Sequence, residues 1–145
     1  MATMQLASKR IDVADALECI EYCYRENITD GLPVVPPTAE RVQQFIEAVA
    51  LPPDTKIAEI TERARIITVE KLAINAVMAG CRPEYMPVLV AAVEALADPA
   101  FKFNHLASMG SPWPLLIVSG PIVRTLDMHY GMYLFGSGNR ANATI

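Results

Sequence analysis

Residues 72–85 read LAINAVMAGCRPEY, and a second apolar run over 88–96 follows at once. The first run ends in Gly80, the residue type that most readily takes the left-handed conformation closing a helix. Pro83 then suits the first turn of a new helix. Two buried helices meeting at a short polar elbow satisfy this pattern. Between them the elbow carries a thiol, a guanidinium, a carboxylate and a phenol, at Cys81, Arg82, Glu84 and Tyr85. Core helices seldom leave so much chemistry at one joint, so the joint is the first place to look for function.

Composition narrows the classes. Hydrophobic residues make up 52% of the 145 and charged residues only 19%, which argues against disorder and for a single domain over 1–145. So small a charged share leaves apolar surface for a partner to cover. A net charge of −4 gives no electrostatic reason to expect nucleic acid. Arg82 and Glu84 interrupt the longest apolar run, and the first residues lack the continuous apolar region of a signal peptide, so the expected setting is cytoplasmic. Three cysteines without a CxxC pattern fit reduced thiols. Cys19 and Cys23, four apart on a predicted helix, lack the two further ligands zinc requires, so no metal site is assigned. The residues name no cofactor.

Along the chain, Asp12 is the expected cap of a helix over 13–27 that buries Val13, Leu17, Ile20 and Tyr24. The proline-rich LPVVPP over 32–37 is extended. Thr38 caps a helix over 39–50, and Thr68 caps one over 69–79, with Glu70 in its first turn. Short strands are expected at 56–60 and 64–67. Pro87 disfavours a helical Met86, so the helix after the elbow is expected to begin near Pro87 and end at Ala97. Residues 115–119 (LLIVS) read as the clearest strand, buried on both faces. A shorter strand is expected at 131–135, 122–129 is ambiguous between helix and loop, and 140–145 opens a last helix. The fold class is α/β or α+β, one helix-rich domain with a small sheet containing 115–119; an all-α bundle is the alternative.

The candidate catalytic residues are Cys81, Glu84, Tyr85 and His105. A helix N-terminus and Arg82 would lower the Cys81 pKa toward a thiolate; the competing reading is a cysteine packed as a small apolar group. Arg82 and Glu84 form either an elbow-locking salt bridge or an anion binder beside a general base. Asn75, the polar exception in an apolar helix, is expected to be buried and hydrogen-bonded to the elbow or the glycine loop. That loop, Gly136-Ser137-Gly138-Asn139, lacks the lysine of a P-loop and the third glycine of a dinucleotide fingerprint. It reads as a tight turn or as an anion cradle, in which Ser137, Gly138, Asn139 and Arg140 would join Arg82 and Asn75 in binding substrate. Met109, Met128 and Met132 read as gap fillers.

Three stretches, 29–38 (TDGLPVVPPT), 73–87 (AINAVMAGCRPEYMP) and 138–145 (GNRANATI), resemble a family of uncharacterised conserved bacterial proteins. The resemblance attaches no reaction. It implies more helix and glycine-rich chain beyond GNRANATI, which would make this chain a short form or one half of a larger assembly. Two functions follow as expectations. One is an enzyme or enzyme subunit with a reactive Cys81, acting on a small polar, anionic substrate. The other is a non-catalytic assembly subunit, whose partner is a second copy or a second subunit. Neither involves nucleic acid or a membrane.

Overall fold

The structure, a computed structural model, describes residues 5–61, 64–102 and 113–145. It is an α+β domain dominated by helices, with one two-stranded antiparallel sheet. Helix α1 spans Ala16–Arg25 and α2 spans Ala39–Glu47. Strands β1 (Lys56–Ile60) and β2 (Arg65–Thr68) pair in the register Ala58↔Ile67 and Glu59↔Ile66, with an irregularity between Lys56 and Ala58. Helix α3 spans Val69–Met78, and a single 3₁₀ turn, Pro83–Tyr85, leads into α4 at Met86–Ala97. Two short helices follow, α5 (Pro121–Thr125) and α6 (Arg140–Thr144). No helix among the described residues is long and apolar enough to cross a membrane.

The core forms where α2, α3 and the start of α4 meet. Val42, Phe45 and Ile46 recur at i, i+3, i+4 on α2 and are buried. Val69, Ala73, Ala76 and Val77 make the matching stripe on α3. The alanines let the two helices approach closely. Tyr85, Met86 and Leu89 close the same cluster from the elbow side, and Leu126 and Ala141 reach it from the C-terminal third. Thr38 and Thr68 cap α2 and α3 as expected, each accepting from the backbone N–H three residues on.

Several expectations need correction. The cap of α1 is Asp15, which accepts from the Glu18 N–H at 2.9 Å, so the helix starts three residues later than Val13. Its inward residue is Cys23, while Leu17 and Tyr24 are exposed. Met86 is helical and fully buried despite preceding Pro87; the core contact holds it in a conformation that proline disfavours. Residues 115–119 and 131–135 form no strands: the former has no regular secondary structure and pairs with no described strand, and the latter is a series of turns. β1 and β2 bond only to each other, and 115–119 does not pair with the outer edge of either.

Candidate functional site

The elbow is a helix terminus whose carbonyls are accounted for almost one by one. Gly80 takes φ +83°. Its N–H donates to the Val77 carbonyl and that of Cys81 to the Ala76 carbonyl, both at 2.9 Å. That is the crossed pair of bonds with which a glycine typically closes a helix. The remaining acceptors are met from far away in sequence. The Val35 N–H donates to Met78 O at 3.1 Å. Arg140 donates through Nε to Gly80 O at 2.8 Å and through Nη2 to Cys81 O at 3.2 Å. A cation at this end also opposes the negative pole of α3. The three stretches 29–38, 73–87 and 138–145 therefore meet at one corner. A Cβ on Gly80 would lie 3.8 Å from methyl groups of both Val35 and Thr144.

Cys81 sits inside this corner, 5% exposed, with its Sγ–H donating to Thr144 O at 3.0 Å. Burial pushes the thiol above its ordinary pKa, opposed only in part by the Thr144 side chain and the Arg140 guanidinium. A carbonyl partner also requires the proton to stay on sulfur. The direction is opposite to the one the sequence suggested, because the neighbouring cation is Arg140 rather than Arg82 and burial outweighs it. Arg82 and Glu84 are exposed and do not pair with each other; Tyr85 is buried in the core. His105 lies outside the described residues, as do Ser108, Met109 and Ser111.

Asn75 corrects a specific expectation. It is exposed, and its Nδ2 donates to Lys71 O at 2.8 Å within its own helix. It touches neither the elbow nor the glycine loop through a hydrogen bond. The buried polar side chain of α3 is instead Glu70, 4% exposed, which accepts from the Ala7 N–H at 3.0 Å and the Ser8 N–H at 2.8 Å. Burial alone would raise its pKa, but hydrogen bonds from Ser8 and Ala7 dominate and hold the carboxyl below the usual range. Sequence reasoning placed Glu70 in the first turn and missed that it anchors the N-terminal segment; nothing local to residues 7 and 8 signals the contact.

The glycine loop is fastened by asparagines. Asn139 caps α6 through the Asn142 N–H at 3.0 Å and donates from Nδ2 to Asp127 O at 2.6 Å. Asn142 accepts from the His129 N–H at 2.9 Å and donates to the carbonyls of His129 at 2.8 Å and Leu134 at 3.2 Å. The loop borders a cleft of about 250 Å³ lined by His129, Tyr133, Leu134, Gly136, Ser137, Gly138 and Asn139. Ser137 makes no side-chain hydrogen bond to another described residue. Of the expected binding residues, the structure thus gathers Ser137, Gly138 and Asn139 at one cleft. Arg140 turns to the elbow, and Arg82 and Asn75 do not line the cleft. No protein-family model, curated protein or solved structure matches the chain.

Proposed function

We propose that the protein is a non-catalytic assembly subunit whose working surface is apolar. The observation that carries this is in the C-terminal third. Trp113, Ile117, Met132, Tyr133 and Phe135 are each at least 83% exposed. Scattered single apolar residues on a surface need no explanation, but such a concentration of large ones marks a contact surface. Helix α4 adds to it. Its sequence, MPVLVAAVEALA, is apolar nearly all round, which suits a helix enclosed on every side, yet only Met86 and Leu89 are buried. The elbow supports the same reading, since Cys81 and Arg140 hold backbone carbonyls there and act as structural ties. We also read the three converging stretches as one structural unit of the family they resemble, and the free Cys19, Cys23 and Cys81 as reduced thiols of a cytoplasmic protein.

Trp113 is the single tryptophan and therefore a built-in reporter. In the assembled protein its emission is expected to be blue-shifted and protected from acrylamide. Emission of a fully solvated indole under assembling conditions overturns the proposal.

A second reading draws on the glycine-loop cleft: a site for a small polar, anionic ligand, as in an enzyme or enzyme subunit. Its support is the Ser137 hydroxyl, which bonds to no other described residue, beside Gly138 and Asn139. Titration with inorganic phosphate, followed through the backbone amide signals of these three residues, tests it; unmoved signals at millimolar phosphate remove it.

A further inference from the structure

Two apolar features lie in the C-terminal half. One is a groove of about 410 Å³ between α4 and the segment leading to α5, lined among others by Val88, Ala91, Ala92, Leu116, Ile117 and Ile122. The other is the ribbon 130–135, which presents Tyr130, Met132, Tyr133 and Phe135 to solvent. The total accessible surface is 10567 Å². A compact monomer of 15.8 kDa exposes roughly 7,300 Å². Assigning every residue outside the described set the area of an extended chain leaves roughly 8,000 Å² for the described residues, against roughly 6,700 Å² for a compact monomer of their mass, a surplus of roughly 1,300 Å². A stable dimer needs about 800 Å² from each partner.

Charge bears on the choice of occupant. Residues 113–123 and 128–139 contain no Asp, Glu, Lys or Arg. In a two-fold interface, residues near the axis face their own copies, so any charge there meets its like. These segments raise no such barrier.

Resting on the assembly reading above, we propose that the partner is a second copy of this chain, with the 130–135 ribbon of each protomer seated in the α4 groove of the other. The exchange is reciprocal, so each dimer contains two identical ribbon–groove contacts. A large aromatic side chain such as Phe135 fills part of the groove, and the small Ala91 and Ala92 leave room for it.

Light scattering across the micromolar range tests this. The wild-type chain is expected at twice 15.8 kDa. Phe135→Asp removes the ribbon and Ala91→Lys blocks the groove; both residues are exposed, so neither change disturbs the core, and circular dichroism checks that. Each variant alone is expected to weaken dimerisation about a hundredfold or more, because both contacts are lost. An equimolar mixture of the two is expected to recover dimers, because the intact ribbon of one variant fits the intact groove of the other. A dimer that survives both substitutions, or a mixture that fails to recover, overturns the reciprocal exchange. A wild-type monomer throughout overturns the second copy altogether. Trp113 then separates the two proposals: a monomer with solvated Trp113 leaves the assembly reading for a different chain, and a monomer with shielded Trp113 removes both.

Discussion

Cys81 and Glu70 are both buried and titratable, and their surroundings drive them to opposite protonation states. Cys81 faces a carbonyl acceptor and keeps its proton; Glu70 faces two N–H donors and loses it. Alkylation of Cys81 is accordingly expected to stay slow through neutral pH and to rise only above the ordinary thiol range near about 8.5. A fast reaction at pH 7, measured by mass spectrometry of the folded protein, contradicts the arrangement. For Glu70 the folded pKa lies below the unfolded value of about 4.3. Its stabilisation is therefore fully present above that value and is lost as pH falls through the folded pKa. Glu70→Gln is expected to cost about 1–3 kcal/mol at pH 7, since one of the two N–H groups loses its acceptor. In urea titrations the wild-type advantage should shrink below pH 4; an equal difference at pH 3 and pH 7 argues against a charged Glu70. Asn75 shows what the sequence offered and how it was misread. Lys71, Asn75 and Ala79 lie four apart and form the exposed stripe of α3. A polar pair at that spacing is the signal of an outward face, whereas the apolar residues around it drew attention to the inside.

At the level of elements, several local signals suffice, while the cap of α1 at Asp15 and the helical Met86 before Pro87 depart from them. Caps at Thr38 and Thr68, the left-handed Gly80 and the turn at Pro83 depend on residues within one helical turn, and all lie where the sequence puts them. The terminus of α3 gives two expected outcomes. Gly80→Ala should cost about 1 kcal/mol. The new methyl group finds ordinary contact distances of 3.8 Å, so the loss comes from the positive φ rather than from a clash. Arg140→Met keeps the aliphatic stem but removes both donors to the elbow carbonyls. It should cost about 1–2 kcal/mol in urea unfolding, discounted because the side chain is partly solvated. A neutral Arg140→Met would mean that water serves the carbonyls equally well. What was not legible is pairing. Residues 115–119 have the composition of a buried strand, but a strand needs an edge to bond, and among the described residues this segment pairs with neither outer edge of the two-stranded sheet. Apolar composition says that a segment is to be covered. It does not say by what. The glycine loop was found from sequence for a similar local reason, while its ties to Asp127, His129 and Leu134 were hidden by the irregular chain between them.

At the scale of the whole molecule, the distribution of burial is uneven. Nearly all the buried core lies between Val42 and Leu89, and beyond α4 the described chain adds Leu126 and Ala141 as buried members, with the half-buried Ile122, Met128 and Ile145 packed against it. The stretch with the most exposed apolar side chains is thus also the one held least by its own domain. If its proper environment is the partner, folding and association are linked, and thermal stability depends on protein concentration. For a dimer, each tenfold rise in concentration favours the folded state by about 1.4 kcal/mol per pair of chains. The unfolding entropy of about 2.1 cal/mol/K per residue, taken over both chains, converts this into a rise in Tm of about 2–3 °C per tenfold. Scanning calorimetry over a hundredfold range should therefore show a shift of about 4–6 °C, and Phe135→Asp should abolish it. The variant is informative because Phe135 is 83% exposed in the single chain: its loss removes no intramolecular packing, so any effect on Tm must pass through the partner. A Tm that ignores concentration in the wild type would mean that the domain reaches its full stability alone. The apolar ribbon would then have to be a surface that waits for a different protein.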